Sequence, residues 1–470
     1  MRPHLLLLLW LLLPLPALAQ GGLPAAERLL KAGQYDEAIE QYTLVLRKQP
    51  ASVPALRGRA RAYVKKGDVP SAVTDLLKAR DLAPKDGWVR ADLSEALSKA
   101  GRLREALVEI EQAIVLQPNI PSHYLARGYV HSDLREYRKA IADHDQALKL
   151  DPRYALAYAA RGFAYGELRD FQQALEDCYR ALEIDPRLEA GFQTRGYVCT
   201  LMGEFPRAEE DFRRALEINP DNAYLYVNRG FLYELWEKWQ EALSDYDRAL
   251  ALDPARGLTY TSRGGVYLQL ENYSRAFEDY DTAVKLLPEE PRAYAGRGFA
   301  LNGLKRFAEA IADFDKAISL DAGLAESWFG RGLVYSAQQA WEKALSDLTR
   351  AIELNPEYVV AYAARSDVHV ATGHPERGLE DLNKALSLAP KNAQLYLDRG
   401  NVHLEMGNRT AALEDFRTAQ RYAPARLMAE IEQQIQEAQR EPEPDEEGDE
   451  EEKPLKPSEK PIPGSQGPGE

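Results

Sequence analysis

The stretch ALAYAARGFAYGELRDFQQALEDCYRALEIDPRL, residues 155–188, is one copy of a 34-residue unit that recurs along most of the chain. Proline occupies position 32 of this unit in eleven of twelve copies, at Pro50, Pro84, Pro118, Pro152, Pro186, Pro220, Pro254, Pro288, Pro356, Pro390 and Pro424, with Ala322 in the remaining slot. A fixed period of this length predicts stacked helical pairs that share a continuous core. Such chains usually bind other molecules rather than transform them.

Small and aromatic side chains recur at other positions of the same unit. Positions 20 and 27 are each Ala in eleven copies, and position 8 is Gly in eight. Positions 4, 8 and 11 share one face of a first helix, and positions 20, 24 and 27 share one face of a second. The missing bulk lets two antiparallel helices approach closely, and aromatics at positions 4, 11 and 24 fill the space around them. The proline ends the unit, because its ring cannot continue a helix.

This pattern resembles the tetratricopeptide repeat family, and the resemblance covers roughly residues 23–424. The copy quoted above carries it at Tyr158, Gly162, Tyr165, Ala174, Ala181 and Pro186. The resemblance implies an all-α fold, a right-handed superhelical solenoid of antiparallel helix pairs.

Two positions of the repeat carry a charged residue in most copies, and one of them departs from the family pattern. Position 7, commonly Leu in the family, is Arg in nine successive copies from Arg127 to Arg399, and position 23 is Asp in ten copies. Arg presents a planar set of donors to a carboxylate, so we expect a ladder of ion pairs between neighbouring helices. Two separately solvated stripes are the alternative, because exposed pairs contribute little.

The N-terminus, residues 1–19, is typical of a signal peptide. Arg2 precedes the apolar run from Leu5 to Leu13, and the triplet Ala17-Leu18-Ala19 follows as a small-residue cleavage signal. The apolar run is too short to span a bilayer comfortably. We therefore predict cleavage and an extracytoplasmic protein, periplasmic or secreted, without an integral membrane segment; an uncleaved anchor is the rival interpretation. The repeats then occupy residues 20–424, with a truncated first copy.

The C-terminal residues form two further segments. Residues 425–440 place Leu427, Met428, Ile431 and Ile435 at helical spacing, which predicts a helix that caps the last repeat. Residues 441–470 contain eleven acidic and three basic residues among many prolines, which predicts a disordered acidic tail. The whole chain has a formal net charge of −15 and no basic stripe, so nucleic acid is not an expected partner.

Motifs for catalysis are not found, so we predict no enzyme, no cofactor and no metal site. Four histidines occupy core positions of the repeat, where other copies carry aromatics or Leu: His131, His144, His369 and His403. Cys178 and Cys199 occupy core positions of adjacent copies. Two packed thiols are the favoured interpretation, and a single disulfide in an oxidising compartment is the alternative.

The candidate binding surface follows from the resemblance, since the first helix of each pair lines the concave groove in this family. The candidate groove residues are Tyr129, Phe163, Tyr197, Phe231 and Phe299 at position 9, Asn228 at position 6 and Asn302 at position 12. Aromatics are favoured anchors at protein interfaces. We therefore expect a non-enzymatic scaffold that binds a protein or peptide segment along the groove. Rings that pack sideways between helices are the competing interpretation, and a structural or self-assembling component of an envelope or secretion complex is the second functional hypothesis.

Overall fold

The computed structural model describes residues 22–440, and every regular element in that range is an α-helix. The signal peptide predicted for residues 1–19 and the tail predicted for residues 441–470 lie outside the described residues. The helices are α1 (Leu23–Lys31), α2 (Tyr35–Lys48), α3 (Val53–Lys66), α4 (Val69–Leu82), α5 (Gly87–Lys99), α6 (Leu103–Leu116), α7 (Pro121–Asp133), α8 (Tyr137–Leu150), α9 (Ala155–Glu167), α10 (Phe171–Ile184), α11 (Glu189–Leu201), α12 (Phe205–Ile218), α13 (Ala223–Leu235), α14 (Trp239–Leu252), α15 (Gly257–Gln269), α16 (Tyr273–Leu286), α17 (Pro291–Gly303), α18 (Phe307–Leu320), α19 (Ala325–Ala337), α20 (Trp341–Leu354), α21 (Val359–Ala371), α22 (Pro375–Leu388), α23 (Ala393–Glu405), α24 (Arg409–Tyr422) and α25 (Ala425–Gln439).

The described residues form two compact units, divided between Asn228 and Arg229, and this boundary falls inside α13. Within each unit, an odd-numbered helix packs against the even-numbered helix that follows it after a short turn, and consecutive pairs stack on one another. The predicted all-α fold of stacked antiparallel helix pairs is confirmed. The 34-residue period continues through residue 228, so the sequence contains no sign of the boundary.

Close helix packing depends on the small residues of the repeat. Ala174 and Ala181, at positions 20 and 27, are fully buried. Gly at position 8 makes room for the side chain at position 24 of the paired helix: a Cβ added to Gly298 would lie 2.9 Å from the Phe314 ring. Contacts this short exclude a larger residue without repacking. The role predicted for these positions is confirmed.

The recurring proline and the aromatic at position 4 act together. The Tyr124 hydroxyl donates to the backbone carbonyl of Pro118, 3.0 Å away, at the end of the preceding repeat. Five further tyrosine–proline pairs with the same spacing lie at 3.1 to 3.4 Å: Tyr226–Pro220, Tyr294–Pro288, Tyr362–Pro356, Tyr396–Pro390 and Tyr158–Pro152. Where Ala322 replaces the proline, the Trp328 indole N–H donates to its carbonyl. This contact satisfies a carbonyl that the helix end leaves without a backbone partner.

The turn inside each helix pair places position 15 in the left-handed conformation. Six copies use Gly there, and six use other residues: Arg135, Arg169, Glu237, Glu271, Lys305 and Gln339, with φ between 54° and 60°. The Ala340 backbone N–H donates to the Tyr335 carbonyl across this turn, as in a Schellman motif. L-residues pay a steric cost in this conformation that Gly avoids.

Gln339→Gly should therefore stabilise its repeat by about 0.5–1 kcal/mol, the relief of the left-handed strain less the extra flexibility that Gly gives the unfolded chain. Urea unfolding of the variant against the parent protein measures the change. Gln338→Gly is the matched control, because Gln338 has φ −89° and gains nothing from Gly. An equal loss of stability in both variants would contradict this account of the turn.

The predicted ion-pair ladder is present in both units, and its partners lie within one repeat. In each of ten repeats the Arg at position 7 donates to the Asp at position 23 of the paired helix, as Arg195 does through Nε and Nη2 at 2.9 and 2.6 Å from Asp211. The ten pairs are Arg59–Asp75, Arg127–Asp143, Arg161–Asp177, Arg195–Asp211, Arg229–Asp245, Arg263–Asp279, Arg297–Asp313, Arg331–Asp347, Arg365–Asp381 and Arg399–Asp415. The alternative of two solvated stripes is wrong.

The same arginines connect neighbouring repeats through their remaining nitrogen. Nη1 of Arg161 donates to Asp145 of the preceding repeat at 2.5 Å, and Nη1 of Arg297 donates to Asp281 at 2.7 Å. A guanidinium with both contacts therefore holds two successive second helices in register. Burial raises the pKa of Asp177 although hydrogen bonding to Arg161 opposes it. The cost of desolvation thus competes with the pairing energy, and the ladder contributes mainly to correct stacking.

The segment after the last repeat forms α25, which packs on α23 and α24. Ile431 is fully buried there, and Leu427 and Ile435 are partly buried beside Phe416. This helix covers apolar side chains that the last pair would otherwise expose.

The core cysteines are both free thiols, and both are fully buried. Burial raises the pKa of Cys178 and of Cys199, so both stay neutral. Of the core histidines, His131 lies 2.7 Å from the Glu136 carboxylate, whereas neither nitrogen of His144 has a hydrogen-bond partner among residues 22–440. Burial lowers the pKa of His144 to about 4, which leaves it a neutral packing group at physiological pH.

Candidate protein-binding groove

A pocket on the odd-numbered helices of the first unit brings together four of the predicted groove residues. We call it the groove pocket; it is lined by Tyr129, Ala159, Ala160, Phe163, Ala190, Gln193, Thr194, Tyr197 and Asn228. These residues come from α7, α9, α11 and the first part of α13, at positions 2, 5, 6 and 9 of their repeats. The pocket encloses about 160 Å³, which suits a single side chain better than a folded element.

The walls of the groove pocket are aromatic rings and methyl groups. The Phe163 and Tyr197 rings lie 5.5 Å apart between centroids, tilted by 32°. Tyr129 is 42% exposed and contacts the buried His144 edge-on, with 5.9 Å between ring centroids. The alanines at positions 159, 160 and 190 keep the floor open between these rings. Three repeats thus present a continuous apolar wall that partly faces solvent.

Three uncharged polar side chains border this apolar wall. Within the described residues, Gln193, Thr194 and Asn228 make no side-chain hydrogen bond. The Glu167 carboxylate accepts a hydrogen bond from the Tyr197 hydroxyl at 2.5 Å. Burial and this carboxylate raise the pKa of Tyr197, which keeps its hydroxyl protonated. Amide and hydroxyl groups without partners beside an apolar wall can bind a polypeptide backbone.

A second depression in the first unit offers much less to a ligand. It is wider, about 570 Å³, and is lined by Tyr158, Arg161, Gln173, Glu176, Asp177, Tyr179, Arg180 and Glu183. Its main charges already pair with one another, Arg161 with Asp177 and Arg180 with Glu183. Self-paired charges at an open surface contribute little to binding. The groove pocket is therefore the stronger candidate.

The remaining predicted groove residues lie in the second unit. Phe231 is partly buried. The Phe299 ring packs sideways against Phe314 and Phe329, with its centroid 5.1 and 6.3 Å from theirs. For this ring, the competing interpretation of sideways packing between helices therefore applies. Phe299 thus belongs to the core cluster of its unit.

The placement of Asn302 in an accessible groove is wrong. Its side chain is only 3% exposed, and its Oδ1 has no hydrogen-bond partner in the part of the chain described. Position 12 faces the next odd-numbered helix rather than solvent: at the same position in another repeat, a Cβ on Gly166 would lie 3.0 Å from Val198 of the following repeat. The helical period predicted which face of the helix carries Asn302, but not that this side chain is buried.

Two polar residues of the pocket, Gln193 and Thr194, were missed by the sequence analysis. They occupy positions 5 and 6, next to the aromatic position 9 on the same helical face. A comparison of position 5 along the repeats could have found Gln193, because the neighbouring copies place Ala159 and Leu125 there.

Residues 22–440 contain neither a metal-binding cluster nor a membrane-spanning helix. No cluster of three or more His, Cys, Asp or Glu side chains there could hold a metal ion. None of the helices in this range combines the length and apolar character that a bilayer crossing needs.

Comparison with known families identifies the repeat. Family models described as Tetratricopeptide repeat match residues 23–87, 123–154, 155–188, 191–222, 212–244, 262–325, 325–358 and 363–426, together more than half of the chain. The chain belongs to the tetratricopeptide repeat family. Tetratricopeptide proteins are commonly protein–protein interaction scaffolds and typically lack catalytic activity. The family therefore supports the search for a binding surface.

Individual relatives are more distant. Tetratricopeptide repeat protein 13 of Homo sapiens is 38% identical over 96 residues, which are 19% of this chain and 11% of the relative. The matched region thus spans about a tenth of that protein's length. Similar solved structures are the APC/C hetero-tetramer Cut9-Hcn1 (16% identity, 88% of this chain and 95% of that chain, TM-score 0.48), a tetratricopeptide repeat protein from Parabacteroides merdae (23%, 54% and 99%, TM-score 0.46) and the yeast Tom70 (18%, 82% and 94%, TM-score 0.44).

Proposed function

We propose that the protein is a non-enzymatic scaffold that binds an extended segment of another protein in the groove pocket. The segment places one uncharged apolar side chain between the rings of Phe163, Tyr197 and Tyr129. The observation that carries the proposal is the combination of this apolar wall with the unpartnered amides of Gln193 and Asn228. An extended segment suits the site, because its backbone leaves N–H and C=O groups free for those amides.

The chemistry of the lining also defines what the pocket rejects. No residue of the lining is charged, so a Lys, Asp or Glu side chain would lose its hydration without gaining a counter-charge. Because the helices are preformed, binding carries an ordering cost only for the partner segment.

An extracytoplasmic site of action, predicted from residues 1–19, remains a prediction.

Selection of short peptides from a displayed random library tests the proposal. The wild-type protein should enrich peptides that share an aliphatic or aromatic residue flanked by uncharged residues. The double variant Phe163→Ala, Tyr197→Ala should bind the selected peptides with at least tenfold lower affinity, because buried aromatic anchors contribute about 2 kcal/mol or more each. Affinity is measured by fluorescence anisotropy of the labelled peptide.

Two further variants separate lost binding from lost folding. Ala190→Glu keeps both rings and adds a charge and bulk inside the pocket, and it should abolish binding. Val115→Ala is the matched control, because Val115 is 72% exposed on α6, outside the lining. Peptides that bind the Ala190→Glu variant as tightly as the wild type would show that the pocket is not the binding site.

A further inference from the structure

The second unit contains a gap in the series of aromatic residues at position 9. Position 9 is Phe231 in α13 and Phe299 in α17, but Gly265 in α15. The Phe299 ring covers Phe314, the position 24 side chain of its own repeat. At Gly265 that cover is missing. A Cβ built there would meet one atom within 4 Å, the Tyr280 hydroxyl oxygen at 3.6 Å.

A carboxyl group without a cation lies on the adjacent helix. Glu234, in α13, is partly buried and accepts a hydrogen bond from the Tyr246 hydroxyl on Oε1. Its second oxygen, Oε2, has no partner within the described residues. Burial raises the pKa of Glu234 to about 7, and no positive charge acts to lower it. Burial raises the pKa of Tyr280, and the charge of the Glu234 carboxylate raises it further.

The cations on the surrounding helices are not available to this carboxyl. Arg229 of α13 is held by Asp245 of α14, and Arg263 of α15 is held by Asp279 of α16. The Tyr246 hydroxyl on α14 donates to this carboxyl, and the Tyr280 hydroxyl on α16 borders the open space at Gly265. A partly buried carboxylate normally has a positive partner in contact, since desolvation without one is costly. Glu234 lacks that partner within the described part of the second unit.

We propose that Glu234 and the Tyr280 hydroxyl, uncovered at Gly265, bind the cationic end of a lysine or arginine side chain from a partner protein. The N–H groups of such a cation supply the donors that Oε2 and the Tyr280 oxygen lack. The missing side chain at Gly265 leaves the path by which the cation enters. This site lies in the second unit and does not depend on the groove pocket.

The test uses blocked amino acids as probes and the full chain as the protein. Nα-acetyl-lysine methylamide should shift the NMR amide signal of Gly265 at roughly millimolar concentrations, as expected for a ligand of this size. The corresponding norleucine compound, which has the same carbon chain without the amine, should cause no shift. Binding should tighten as the pH rises from about 6 to about 8, because the carboxyl must lose its proton to receive the cation.

Three variants connect the signal to the site. Glu234→Gln should weaken lysine binding at least tenfold, and Glu237→Gln, at an exposed glutamate two residues beyond the end of α13, should leave it unchanged. Gly265→Phe restores the ring of the other repeats and should block entry with Glu234 intact. The absence of a Gly265 shift in the wild-type protein, or an equal shift in Glu234→Gln, would overturn the proposal.

Discussion

Arg263→Leu should destabilise the eighth repeat by about 3–5 kcal/mol, the usual cost of removing one partner of a buried ion pair. Asp279 is buried and accepts hydrogen bonds from Nε and Nη2 of Arg263 at 2.8 and 2.6 Å. Without the guanidinium, this carboxylate keeps its desolvation cost and loses its counter-charge. Hydrogen exchange of α15 and α16 measures the loss locally, since long repeat proteins do not unfold in one step.

The pH dependence of this loss has a definite sign. Burial raises the pKa of Asp279 even with Arg263 in place, and removing the arginine raises it further. A carboxyl whose folded pKa exceeds its unfolded pKa of about 3.9 stabilises the protein at low pH and loses that contribution as the pH rises. The penalty in Arg263→Leu should therefore be full at neutral pH and shrink towards about pH 4.

Two controls complete this experiment. Removing both charges, in Arg263→Leu with Asp279→Leu, should cost less than the single change, because no charge is left buried alone. Arg306→Leu breaks an exposed pair with Glu309 and should cost less than about 1 kcal/mol. If Arg263→Leu costs no more than Arg306→Leu, the ladder does not hold the helices as we describe.

Phe314→Ala should be comparably damaging, with a loss of about 3–5 kcal/mol from the missing ring and the cavity it leaves. Phe314 is fully buried and fits between two glycines, Gly298 of its own repeat and Gly330 of the next. A Cβ on Gly330 would lie 2.3 Å from this ring. One side chain therefore interlocks two successive repeats.

A substitution of the glycine tests the contact between Gly330 and Phe314 from the side of Gly330. Gly330→Ala should destabilise the protein by about 1–3 kcal/mol through overpacking, although Ala normally favours a helix over Gly. Combining Gly330→Ala with Phe314→Leu should recover part of that loss, because Leu ends short of the new methyl group. Chemical denaturation of the three variants measures these differences. A Gly330→Ala protein more stable than the parent would contradict the interlocking contact.

Most of this helix packing could be predicted from the sequence alone, but the register of the ion pairs could not. The period predicted the helix pairs, and the Gly and Ala positions predicted their close approach. The Arg and Asp series predicted ion pairs, since both lie beside packed faces, but not that Arg195 pairs with Asp211 of its own repeat. Register of this kind depends on the angle between two helices, which no residue type specifies.

The groove was predicted less completely, for a related reason. Tyr129, Phe163 and Tyr197 line one pocket, because position 9 recurs on the same face of each odd-numbered helix. Asn302 lies on a neighbouring part of that face, yet it is buried by the next repeat. A helical period gives the direction of a side chain, and the bulk of the adjacent helix decides its exposure.

The most direct test of the groove proposal is site-specific photo-crosslinking with the peptide selected on the wild-type protein. A benzophenone side chain is built into the peptide beside its apolar residue, so that Gln193 and the rest of the groove pocket stay intact. We predict an adduct at a lining residue of the groove pocket and none at Val115 on α6, located by mass spectrometry. Adducts found only outside the lining would contradict binding in the groove pocket.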